Sequence, residues 1–221
     1  MTDRRVVIAG GHGKIAQQLT EVLTAQGDRA VALIRNPDHS NAVAALGALP
    51  EVIDLEQASV DDVAALLHDA DAAVFAAGAG ASGGVERKDT VDRAGSVLLA
   101  DAAEKAGVKR FVQVSSFGAG EPVADDAEDT WKAYIAAKTV AEEDLKARTK
   151  LDWTIVRPGG LTDDDPTGHV TLSKPPLERG TVPRADVAHV IALMLETPST
   201  IGKTVMLTSG DTPVEDAVKG V

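Results

Sequence analysis

Along most of the chain, short and almost continuously apolar runs alternate with longer segments rich in alanine and leucine. The runs are Val6–Ile8, Ala30–Ile34, Val52–Ile53, Ala73–Phe75, Phe111–Val114 and Trp153–Val156. A strand with one wet face alternates apolar and polar residues, whereas a strand buried on both faces does not, so the pattern predicts a parallel sheet covered on both sides. The intervening segments predict helices over Lys14–Gln26, Ser40–Leu46, Val60–His68, Thr90–Ala106 and Thr130–Thr149, with Gly27 and Gly107 as stops. Repeated βαβ units of this kind predict an α/β fold, a Rossmann-type doubly wound parallel sheet of strand order 3-2-1-4-5-6. After Pro158 the texture turns to proline, glycine and aspartate. Two helical patterns remain there, Ala185–Glu196 and Val214–Val218, with room for a seventh strand at Thr204–Thr208. The expectation is one domain over residues 1–221, in which 158–221 forms a small C-terminal, substrate-side extension.

Composition narrows the partners. Apolar residues make up 44% of 221 but aromatics only 3%, so the core is expected to be aliphatic. A net charge of -12 repels phosphate backbones and anionic lipid, which argues against nucleic acid and membrane partners. The chain has no cysteine, which excludes disulfides and thiolate metal sites. Its five histidines show no metal-ligand spacing, and Asp163-Asp164-Asp165 reads as a solvated loop, so no metal is expected. With no leader-like segment and no long apolar stretch, the chain reads as cytoplasmic, a monomer or homodimer acting on a small molecule.

The first strand delivers the chain into Ala9-Gly10-Gly11-His12-Gly13-Lys14-Ile15-Ala16, a GxxGxxA pattern at a strand-to-helix junction. Glycine at 10 permits a tight turn, glycine at 13 lets the backbone approach a pyrophosphate, and Ala16 allows close helix packing. His12 and Lys14 are within reach of phosphate from this loop. The second strand ends in Arg35-Asn36, where an NAD-selective site carries an acid; an arginine fork suits a 2′-phosphate instead, so NADP(H) is the expected cofactor. The alternative for Arg35 is an exposed loop side chain. Asp54 and Leu55 close the third strand at the adenine position, and Ala76-Ala77-Gly78 closes the fourth with residues small enough for a dinucleotide to lie against.

The only tyrosine, Tyr134, stands four residues before Lys138 in a predicted helix, so the two share a face. A cation beside a phenol favours the phenolate and makes the hydroxyl a better proton donor or acceptor. Val114, Ser115 and Ser116 end the fifth strand, and Pro158-Gly159 ends the sixth, both where open α/β sheets bind ligands. The alternative is that the serines simply end a strand. Trp131 and Trp153 read as packing residues.

With these residues in view, the chain resembles the atypical, extended-like short-chain dehydrogenases/reductases, a group labelled NAD(P)-binding or NAD-dependent epimerase/dehydratase and related to NmrA-like proteins. The likeness runs from about Val6 to Thr208 and is carried by GGHGKIA, AAGAG, VDRAGSVLLADAAEKAGVKRFVQVSS, YIAAK, LDWTIVRPGGLTDDDPTGHV and PRADVA. It implies bound NADP(H) and a catalytic set in which Ser116 bonds a carbonyl, Tyr134 is the acid/base and Lys138 binds the nicotinamide ribose. Two departures stand out: Asp92 replaces the asparagine common in the family, and the C-terminal part is short for gripping a nucleotide sugar. The resemblance therefore leaves three activities open: hydride transfer on a small carbonyl or alcohol, epimerase or dehydratase chemistry, and a catalytically idle NADP(H) sensor.

Overall fold

The computed structural model describes residues 3–80 and 83–221. Eleven strands alternate with helices in the described residues: β1 (Arg5–Ala9), α1 (Lys14–Gln26), β2 (Arg29–Ile34), α2 (Ser40–Ala45), β3 (Leu49–Val52), α3 (Val60–Leu66), β4 (Ala72–Phe75), α4 (Val85–Arg87), α5 (Gly95–Ala106), β5 (Arg110–Val114), α6 (Asp129–Ala147), β6 (Asp152–Pro158), β7 (Gly160–Thr162), β8 (His169–Ser173), β9 (Thr181–Pro183), α7 (Arg184–Glu196), β10 (Lys203–Ser209), β11 (Thr212–Pro213) and α8 (Val214–Lys219). Nine strands form one sheet in the order β3-β2-β1-β4-β5-β6-β10-β8-β11, and β7 pairs with β9 apart from it. The first six reproduce the expected 3-2-1-4-5-6 order of a doubly wound sheet. The anticipated seventh strand is β10, parallel to β6, and β8 and β11 extend the sheet antiparallel.

The unbroken apolar strands are explained by the two cores. In β1, Val6 and Ile8 point to one face, where they meet Ile15, Leu19 and Leu23 of α1 and the buried side of α7. Val7 and Ala9 point to the other, against Val63 of α3 and Leu99 and Ala103 of α5. Each fully buried aliphatic side chain contributes about 1.5–3 kcal/mol relative to exposure. Gly27 and Gly107 end α1 and α5 in left-handed conformations, as the pattern predicts.

Three expectations shift. The third strand lies at Leu49–Val52, earlier than Val52–Ile53, because it is the sheet's edge: Leu49 and Val52 stay exposed and Pro50 interrupts the apolar run. The helix expected from Thr90 starts at Val85 and passes through a π-helical stretch, Lys88–Ala94, before α5. Strands β7, β8, β9 and β11 were not visible as apolar runs because they are short and partly exposed.

A buried ionic cluster ties α6 to the ends of β5 and β6. Glu142 accepts two bonds from Arg157, at 2.8 and 2.7 Å, one from Lys146 at 2.8 Å and one from the Ser115 hydroxyl at 2.6 Å. Burial pushes its carboxyl up, but these donors outweigh burial and hold it below the usual value. A depressed folded-state pKa contributes stability that is present above the unfolded value and disappears as pH falls. Glu142→Gln is therefore expected to lose about 3–5 kcal/mol at pH 7, since Arg157 would keep an unpaired buried charge. Urea unfolding from pH 7 to 3 checks this: the gap between the two proteins should shrink below the ordinary glutamate value of 4.5. A gap that stays constant over that range contradicts the assignment.

Candidate functional site

The strand order reverses between β1 and β4, and the crevice this leaves at the carboxyl edge of the sheet is where ligands of doubly wound folds sit. Gly10 turns there with φ 80°, and a Cβ on it would lie 2.6 Å from the Cα of Ala77, so any side chain would push the two strand ends apart. Gly13 precedes α1 without a side-chain cap, and the first turn of α1 carries no acidic residue. Its open N–H groups and positive dipole end therefore face the crevice uncompensated, the arrangement an anion such as a pyrophosphate fits. Gly11 serves packing instead: its N–H donates to the Leu33 carbonyl at 2.9 Å, and a Cβ would meet Ala32 at 2.5 Å. The Lys14 ammonium pairs with Asp163.

At one end the crevice opens into a cavity of about 410 Å³ lined by Gly10, His12, Gly13, Arg35, Asn36, His39, Asp54, Leu55, Ala76, Ala77, Gly78 and Arg87, among others. Arg35, with 55% of its side chain exposed, reaches Glu56 at 3.2 Å. Arg87 donates to the same carboxylate oxygen at 3.0 Å and the Thr90 hydroxyl to the other at 2.6 Å. The Thr90 bond first, then Arg87, hold the Glu56 carboxyl below its usual range. His12 stacks on His39 at 3.5 Å between centroids, and burial, then the neighbouring His39, lower the His12 imidazole below its ordinary value. Asn36 accepts the Asp38 N–H at 3.1 Å, and Asp54 accepts the Glu56 N–H at 3.0 Å, so both shape the rim.

Further along, a cavity of about 510 Å³ shares Ala76, Ala77, Gly78 and Gly80 with the first and adds Ile15, Asp92, Val114, Ser115, Tyr134, Lys138 and Leu161. Asp92 is 1% exposed. One of its oxygens accepts the Ala79 N–H at 3.0 Å, and the other lies 3.4 Å from the Lys138 ammonium. Lys138 also donates to the Val114 carbonyl at 3.2 Å and sits 5.8 Å from the centroid of the Tyr134 ring. The Tyr134 side chain is half-buried, and among the described residues its hydroxyl has no hydrogen-bond partner. Asp92 lies within the π-helical stretch, whose wider turns occur often at functional sites.

A third cavity, of about 430 Å³, shares Ser115, Trp131, Tyr134 and Leu161 with the second and is closed by Ser116, Phe117, Pro158, Gly159, Arg179 and Arg184. The two serines divide the work. Ser115 commits its hydroxyl proton to Glu142, whereas the Ser116 hydroxyl is free of hydrogen bonds among the described residues. The three cavities run in succession, so Tyr134 and Ser115 stand where the second meets the third. No group of histidines and acids among the described residues could hold a metal ion, and no described helix is long and apolar enough to cross a membrane.

A family model described as NAD(P)H-binding matches residues 10–198, from the glycine turn to the end of α7. The chain belongs to that family. It is 35% identical over 216 residues to the uncharacterized sugar epimerase YhfK of Bacillus subtilis, covering 97% of this chain and 99% of that one. Among solved structures it is similar to a candidate NAD-dependent epimerase/dehydratase from Bacillus halodurans, with a TM-score of 0.89 and 36% identity over 99% of this chain and all of the other. The oxidoreductase ylbE from Lactococcus lactis superposes with a TM-score of 0.84 at 27% identity, covering 98% and 96% of the two chains. The molecule thus has the NAD(P)-binding fold shared by oxidoreductases and epimerases.

Every expected site residue except Gly11 and Lys14 lines one of the three cavities, Asn36 and Asp54 at the rim of the first; Lys14 lies in a neighbouring cleft with Asp163 and Arg184. Sequence reasoning missed Glu56, Arg87, His39 and Arg179. It also read Trp131 as packing, whereas Trp131 is 43% exposed and lines two cavities. Trp153 does pack against the core.

Proposed function

We propose that this protein is an NADP(H)-dependent oxidoreductase of the short-chain dehydrogenase type, acting on a small carbonyl or alcohol. The observation that carries the reading is the unpartnered Tyr134 hydroxyl at the junction of the second and third cavities, with Lys138 beside it in the second. The nicotinamide, when bound, supplies or takes the hydride at the carbonyl carbon. In the reducing direction the Ser116 hydroxyl donates a hydrogen bond to the substrate oxygen, and Tyr134 gives its proton to that oxygen as negative charge develops there. Lys138, fixed by Asp92 and Val114, positions the phenol and the cofactor ribose. Gly10, Gly13 and the open end of α1 take the pyrophosphate, and Leu55 and Ala76 through Gly78 bracket the adenosine end.

Arg35 and Arg87 support the preference for NADP(H): a 2′-phosphate at the rim of the first cavity meets two guanidinium groups already gathered there. Epimerase chemistry is a second reading, favoured by the naming of the Bacillus subtilis relative. The same tyrosine serves both, and the readings part on whether NADPH is consumed.

Two measurements test the proposal. In an NADPH-oxidation assay over aldehydes, ketones and quinones, Tyr134→Phe is expected to lower kcat/KM by about 10²- to 10⁴-fold while NADP⁺ affinity holds; unchanged turnover removes Tyr134 as the acid, and product without net NADPH loss selects the epimerase reading. In a cofactor titration, Arg35→Ser should weaken NADP⁺ by about tenfold or more and leave NAD⁺ unaffected. Equal wild-type affinity for the two cofactors would overturn the preference.

A further inference from the structure

The aromatic residues of this chain are placed unevenly. There are three phenylalanines, two tryptophans and one tyrosine, yet Phe117, Trp131 and Tyr134 all line the third cavity. The cores are otherwise built mainly of aliphatic side chains, so filling space does not explain the cluster. Trp131 stays 43% exposed, with its ring 5.6 Å from that of Tyr134 and tilted by 38°. An indole kept in water beside a free phenol is an unfilled stacking surface.

Arginine is the second feature. Gly160 donates its N–H to the Gly180 carbonyl at 2.9 Å, and a Cβ on Gly159 would lie only 2.3 Å from that same oxygen. This close approach tethers Gly180, and with it the preceding Arg179, to the end of β6. Of the two arginines of the cavity, Arg184 donates to Asp163 at 2.6 Å. Arg179 is exposed and makes no ion pair or hydrogen bond among the described residues, although the chain holds 34 acidic against 22 basic residues. In so acidic a protein, a guanidinium left unpaired at the wall of a cavity has its fork available for a ligand.

We infer that the third cavity takes a planar, conjugated carbonyl compound bearing a carboxylate, with its ring on Trp131 and its carboxylate in the fork of Arg179. Two parallel N–H···O bonds match a guanidinium to a carboxylate, and the free Ser116 hydroxyl is left for the carbonyl. The inference rests on the oxidoreductase reading for the carbonyl's fate, but the binding preference stands on the cavity alone.

Calorimetric titration of the free and the NADP⁺-saturated protein with 4-formylbenzoate, its methyl ester and 4-formylcyclohexanecarboxylate tests it. The aromatic acid is expected to bind at least about tenfold tighter than either comparison compound. Arg179→Gln should bring the acid down to the ester without weakening the ester, Arg179→Lys should restore part of the difference, and Trp131→Leu should remove the advantage of the aromatic over the saturated ring. Equal affinities in the wild type, a preference that survives Arg179→Gln, or no binding of the aromatic acid overturns the inference. The expected preference without Tyr134-dependent NADPH oxidation of 4-formylbenzoate would contradict the oxidoreductase reading and leave the ligand class standing. Tyr134-dependent turnover of neutral, saturated carbonyls with no charge preference would do the reverse.

Discussion

The site depends on the bonds made by the buried Asp92 carboxylate. Coming from the π-helical stretch, it holds the Ala79 N–H in the loop that follows β4 and lies against the Lys138 ammonium of α6. Three elements far apart in sequence are thereby fixed to one another, and a buried ammonium gains the counter-charge without which its burial would be costly. The carboxylate also comes so close to Gly78 that a Cβ there would lie 3.0 Å from it, which keeps that stretch of the crevice floor bare of side chains. Asp92 is one of the two departures from the family pattern that leave catalysis open at the level of sequence. In the structure it has a definite mechanical task, one that an acceptor performs and for which an amide donor is not required.

The electrostatics of the molecule fit a site with two polar ends. A protein of net charge -12 repels anions over most of its surface, yet Arg35 and Arg87 line the first cavity, the open N–H groups of α1 face the crevice, and Arg179 lines the third cavity beyond Tyr134. Between them the crevice is floored by alanine and glycine.

The fold was largely legible because its signals are local. The glycine pairs around Lys14–Gln26 mark a helix by backbone chemistry alone, and strands buried on both faces must be apolar whatever they touch. Where burial is partial the signal fails: β3 is an edge strand broken by Pro50, and β7 and β9 are three-residue strands whose pairing is a tertiary event. The same division holds for the site. Gly10, Arg35, Tyr134 and Lys138 announce themselves by type and spacing, while Trp131, Arg87 and Arg179 acquire meaning only from the cavities that folding brings to them. The family resemblance singles out Ser116 over Ser115, but the bond that commits the Ser115 hydroxyl to Glu142 is visible only in the fold.

If the oxidoreductase reading holds, one dinucleotide lies along the first two cavities with its reactive ring at Tyr134, and the third is left to the substrate. A crystal structure of the protein grown with NADP⁺ tests this most directly. The pyrophosphate is expected on the first turn of α1 beside Gly13, the 2′-phosphate at Arg35, and the nicotinamide between Leu161 and Ser115 with its ribose within hydrogen-bonding distance of Lys138. A dinucleotide bound elsewhere, or one whose nicotinamide points away from Tyr134, would contradict it.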